Sequence, residues 1–137
     1  MNIPTETQLA GKNKPYCLDI EWMLKNFLGL VKEEAIQLFQ TTPTSEDFSY
    51  MRYPGLIYYL EAAFEYLKSD EVAHEEFDFP TGLLCSLSCQ VSIWKVDKSA
   101  IPLIKEIAEY CEQNTKKLDI DEGSGLCKEY ISTIKNA

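Results

Sequence analysis

Side chains for proton transfer and for bidentate grip on anions are nearly missing: the chain has one histidine, His74, and one arginine, Arg52. A Ser-His-Asp triad, a site with several histidine ligands and an arginine clamp on a nucleotide each retain at most one candidate residue. There is no Gly-rich phosphate loop, no Gly-x-Ser-x-Gly elbow and no Walker motif, so the common signatures of phosphoryl and acyl transfer are lacking. Apolar runs are short, and no segment is expected to span a membrane. The N-terminal residues, mostly polar and including Pro4 and Gly11, lack the apolar stretch of a secretory signal. No internal repeat, low-complexity segment or Gly/Ser-rich linker divides the chain.

What is present bounds the class. A chain of 137 residues fits one domain with a sizeable core and needs no disulfide or metal to hold it. Its cysteines (Cys17, Cys85, Cys89, Cys111, Cys127) are odd in number and lack zinc-ribbon spacing, as expected of reduced thiols in a cytoplasmic protein. The net charge is −9, and the lysines are scattered rather than gathered in a patch, which disfavours nucleic acid as a partner. Negative charge is densest over Glu61, Glu65, Asp70, Glu71, Glu75, Glu76 and Asp78, with Lys68 alone opposing it within that stretch. A cationic partner fits better than an anionic one.

Periodicity predicts an all-α domain of four or five helices with antiparallel neighbours, spanning residues 16–137 behind a mobile N-terminal arm of residues 1–15. The first helix is expected over Ile20 to Gln40. Asp19 is its N-cap, Leu18 and Met23 its hydrophobic staple, and Gly29 a weak point on its polar side. Pro54 suits the first turn of a second helix, in which Leu56, Leu60, Ala63, Phe64 and Leu67 form the core stripe and Tyr58, Glu61 and Glu65 the partly exposed face. The segment Thr81 to Trp94 carries no charge, which marks an element buried on nearly all sides. Its apolar residues fit a helical stripe, yet Cys85, Leu87, Cys89, Val91 and Ile93 also alternate with polar residues as in a strand. Helix is favoured because no second strand run is available to pair with. Two more helices follow, over about Lys98 to Leu118 and from Gly123 onward.

Four constellations invite chemistry, and each has a simpler explanation. Glu71-Val72-Ala73-His74 matches the Glu-x-x-His element of di-iron bundles, but such sites use two, and a solvated turn accounts for one. Asp119 to Ser124 resembles the start of a calcium loop, with Ser124 where glycine belongs and Tyr130 where the bidentate glutamate belongs. Cys85 and Cys89 share a helix face but have no nearby cation to lower a thiol pKa, so small-residue packing explains them. Glu61 and Glu65, joined by Glu34 or Asp19, are the candidates for a general acid/base pair, although solvated helix faces carry such residues routinely. No cofactor, metal or catalytic residue is therefore assigned.

Tyrosine is the enrichment that remains, with Tyr50, Tyr53, Tyr58, Tyr59 and Tyr66 just ahead of the acidic stretch. Tyrosine favours interfaces because it offers a large contact area and a polar tip at low entropic cost. The expectation is an acidic protein-interaction module that docks a basic protein through Tyr58, Glu61, Glu65, Glu71, Glu75, Glu76 and Asp78. An inhibitor of the immunity or antitoxin kind is its most concrete form. The rival is a small-ligand binder or enzyme with an apolar pocket along the charge-free segment, gated by the Phe77 to Pro80 turn.

Overall fold

The computed structural model describes residues 2–74, 77–120 and 125–137. Among them are seven α-helices: α1 (Glu6–Ala10), α2 (Leu18–Phe27), α3 (Lys32–Thr41), α4 (Gly55–Lys68), α5 (Phe79–Ser92), α6 (Ile101–Gln113) and α7 (Leu126–Lys135). Three 3₁₀ turns (Ser45–Ser49, Glu71–His74, Lys98–Ala100) join them, and no strand occurs among the described residues. The all-α class stands, with more helices than the four or five expected. No helix of the described residues is long and apolar enough to cross a membrane.

The extra helices have physical causes. The single helix expected over Ile20 to Gln40 is broken at Gly29, whose φ of +87° is a left-handed conformation that glycine adopts without a Cβ penalty. The carbonyls at the break are satisfied: Phe27 O accepts from the Leu30 amide at 3.0 Å and from the Tyr59 hydroxyl at 2.7 Å, and that hydroxyl lies 2.9 Å from Leu30 O. Cys17, not Asp19, occupies the N-cap of α2, and Leu18 is 69% exposed, so the expected staple with Met23 does not form.

The segment expected as a mobile arm contributes α1. Thr5 and Gln8 form a reciprocal capping box, and Leu9 and Ala10 are buried in the core. The Arg52 amide donates to Leu9 O at 2.7 Å. A Cβ at Gly55 would sit 2.7 Å from Gln8 O, so glycine is what lets α1 lie against the start of α4.

The core centres on α4, where Leu56, Tyr59, Leu60, Ala63, Tyr66 and Leu67 are fully buried. Rings from five elements meet there: Phe27, Phe39, Phe48, Tyr59, Tyr66 and Phe79, with Phe39 and Phe79 centroids 4.7 Å apart and Phe27 and Tyr59 5.1 Å apart. Spacings of this size bring favourable ring-edge contacts in addition to area burial.

The charge-free segment is helical, as α5, and its polar residues are buried for a reason. Gly82, Ser86 and Gln90 recur every four residues along one face and receive the 3₁₀ turn Ser45–Ser49. A Cβ at Gly82 would collide with the Ser45 side chain, Ser86 Oγ donates to Ser45 O at 2.8 Å, and Gln90 Nε2 donates to Phe48 O at 2.6 Å and Met51 O at 2.8 Å. α7 covers another side, with Cys127 Sγ 3.6 Å from Thr81 Oγ1. Burial is less complete than expected: Thr81, Cys85 and Cys89 are half-buried along one side of the helix, and Ser92, Ile93 and Trp94 are exposed at its C-terminal end. The following helix is also shorter than expected: α6 ends at Gln113, and irregular turns carry Leu118 and Ile120 back to the core.

Candidate interaction surfaces

The residues expected to dock a partner are spread over α4 and the connection that follows it. Tyr58 is a correction: it is buried, its ring lies edge-on to Tyr59 at 5.0 Å, and its hydroxyl accepts from the Lys32 amide at 3.2 Å. It caps the first turn of α3 and is not a free anchor. Glu61 and Glu65 are exposed on α4. Lys32 Nζ reaches Glu61 at 2.5 Å and lies 5.3 Å above the Tyr58 ring. The hydrogen bond that Lys32 donates to Glu61, with added field from Glu65 and against the cost of burial, holds its ammonium above the usual lysine range.

Glu71 is exposed in its 3₁₀ turn. Asp78 is exposed too, and its carboxylate accepts from the Thr81 amide at 3.3 Å as the N-cap of α5. Glu75, Glu76 and the side chain of His74 lie outside the described residues, as do Asp121 to Ser124 of the calcium-like loop. The structure thus keeps Glu61 and Glu65 exposed one turn apart, sets Lys32 against Glu61, and places Glu71 beyond the far end of the same helix. Lys32 was invisible in sequence because its position depends on the break at Gly29.

Elsewhere burial shifts one carboxyl and two thiols. Burial pushes the Asp47 carboxyl up, opposed by a hydrogen bond from Asn26 Nδ2 at 2.8 Å and assisted by Glu46 and Asp19. Burial also raises the Cys89 thiol and pushes Cys111 up to about 12, so neither is an activated nucleophile. Among the described residues no three His, Cys, Asp or Glu side chains are placed to hold a metal ion.

Two features were not anticipated. Leu83, Leu84 and Leu87 of α5, expected beside a pocket, are fully buried and Phe79 nearly so. A cavity of about 470 Å³ lies instead between α6 and α7, lined among others by Glu112, Ile120, Cys127, Ile131 and Lys135. The second feature is a set of exposed large side chains outside the acidic stretch: Leu18 and Trp22 on α2, and Tyr53, Ile93 and Trp94 around the end of α5. Trp94 ends the charge-free segment that the sequence predicts to be buried on nearly all sides. Its true place follows from α5 ending at Ser92. No family model, curated protein or solved structure matches the chain.

Proposed function

We propose that the protein is a small acidic interaction module that docks a basic partner protein, most concretely an inhibitor of the immunity or antitoxin kind that masks a cationic toxin. The observation that carries this reading is the imbalance on α4 and the turn after it. Glu61 has an ion-pair partner, while Glu65, Asp70 and Glu71 are exposed and have none among the described residues. Exposed carboxylates grouped in this way raise the local concentration of a cationic partner and accelerate encounter, and the effect weakens as salt rises. Tyr58 takes no part in contact on this reading, since it is buried, so Glu61, Glu65, Glu71 and Asp78 remain as the surface among the described residues.

The test is affinity capture from native cell extract at low salt, with wild type and a Glu61→Lys, Glu65→Lys, Glu71→Lys variant as parallel baits. A basic protein held by the wild type and lost by the variant supports the reading. Equal capture by both baits contradicts it.

A second reading, a small apolar ligand, is favoured by the cavity between α6 and α7, whose volume of about 470 Å³ falls in the ~300–1,000 Å³ range of ligand sites. Native mass spectrometry distinguishes the two. A co-purifying small molecule that is lost in an Ile131→Trp variant supports this alternative.

A further inference from the structure

We propose that the corner where Arg52, Tyr53, Trp94 and Lys95 meet is a second docking surface, and that it takes an acidic segment of a partner protein that inserts one apolar side chain. Trp, Tyr and Arg are the residue types that dominate binding energy at protein interfaces. Here one of each lines the same cavity, with Trp94 44% and Tyr53 39% exposed in a protein that buries most of its other aromatic rings. Ile93, next to Trp94, is 64% exposed. The cavity of about 210 Å³ is below the ~300–1,000 Å³ of small-molecule sites and suits a single side chain, which favours a protein segment over a free ligand.

The charge of the corner selects the partner. The Arg52 guanidinium carbon is 5.7 Å from the Trp94 ring centre, an arrangement that orients the cation against the indole face. Neither Arg52 nor Lys95 forms an ion pair among the described residues. Asp97, the one carboxylate lining the cavity, is engaged by the Ser99 amide at 2.9 Å. On a chain of net charge −9, two cations against the single Asp97 carboxylate leave this corner net positive, and beside exposed aromatic rings that makes it the complement of a carboxylate-bearing, apolar segment.

Lys95 supplies an independent sign. Its φ of +52° places it in the left-handed region just past the end of α5, where the Trp94 and Val96 amides bond back to Cys89 O and Gln90 O. Helices close in this manner preferentially on glycine. A lysine here works against stability and keeps a positive charge at the cavity. This surface is distinct from the acidic face: it precedes α4, whereas Glu71 follows it, and the 14 residues of α4 span about 20 Å at 1.5 Å per residue.

The experiment selects random linear peptides displayed on phage against the full chain at low salt, then measures the affinity of synthetic copies by fluorescence anisotropy. Enriched peptides are expected to combine Asp or Glu with Leu, Ile or Phe. Their affinity should fall by about tenfold or more in Arg52→Glu and in Trp94→Ala, in line with the truncation of a central anchor. Lys95→Gly should weaken binding while raising the melting temperature, which separates loss of contact from loss of fold. A Glu61→Lys, Glu65→Lys variant should bind the peptides undiminished, so the acidic-face reading can fail without this one. Enrichment of basic peptides alone, acidic peptides that bind every variant equally, or no enrichment at all would overturn the proposal. So would self-association abolished by Trp94→Ala, which would assign the surface to a second copy of the chain.

Discussion

At the scale of single residues, stability rests on polar groups that tie loops to helices. Tyr59 is the clearest case, because its buried hydroxyl serves the carbonyls on both sides of the break between α2 and α3. Tyr59→Phe should cost about 0.5–1.5 kcal/mol in urea denaturation, the net worth of a hydrogen bond, because Phe27 O keeps the Leu30 amide at 3.0 Å. An unchanged midpoint would mean that water replaces the hydroxyl. Asp47 works in the opposite sense. Burial raises its carboxyl pKa in the folded state, so the folded protein holds the proton more tightly than the unfolded chain does. Its contribution is therefore favourable below the ordinary carboxylate range and is lost as pH rises through the folded pKa. Asp47→Asn keeps an oxygen to accept from Asn26 and should be more stable than wild type at pH 7, with the difference shrinking towards about pH 3, below the unperturbed value of about 3.9. A difference constant across that range would place Asp47 in water. None of this was legible in sequence. Periodicity assigns a side to Tyr58, Tyr59 or Gln90 but cannot say which hydroxyl or amide meets a carbonyl twenty or more residues away.

At the scale of elements, the helical stripes of α4 and α5 were readable because burial follows a period near four residues in both. The strand-like alternation in α5 arose because Ser86, Ser88 and Gln90 are buried polar residues, hydrogen-bonded to the backbone, and mimic a solvent face. The break between α2 and α3 was hidden for a related reason: Val31, Ala35 and Leu38 continue the earlier stripe across Gly29 without a change of phase. Gly29→Ala distinguishes the two arrangements by sign. In an uninterrupted helix alanine would add about 0.5–1 kcal/mol. In the broken one, with φ at +87° and open space around the Cβ position, it should cost about 1–2 kcal/mol from backbone strain alone. The urea midpoint reports which holds. The α1 segment escaped notice because five helical residues are too few for periodicity, although Thr5 and Gln8 already carried the spacing of a capping box.

At the scale of the whole molecule, composition and periodicity indicated a charged helical domain, while the placement of its exposed rings needed the tertiary fold. The acidic stretch was legible as charge, but its tyrosine anchor was not: Tyr58 sits on the polar side of α4 by periodicity and is covered by Lys32, which the chain break swings over it. On the proposed function, attraction comes from the carboxylates of α4 and the turn that follows, so reversing them should slow association more than it speeds dissociation. The measurement that tests this most directly is the stopped-flow association rate of the captured basic partner across a range of ionic strength, for wild type and for the Glu61→Lys, Glu65→Lys, Glu71→Lys variant. The expected result is a wild-type rate that falls steeply with salt and a variant rate that is lower by about tenfold or more at low salt and nearly flat. Identical rates with identical salt dependence would contradict it, and would leave the acidic face as a solvated surface with no part in recognition.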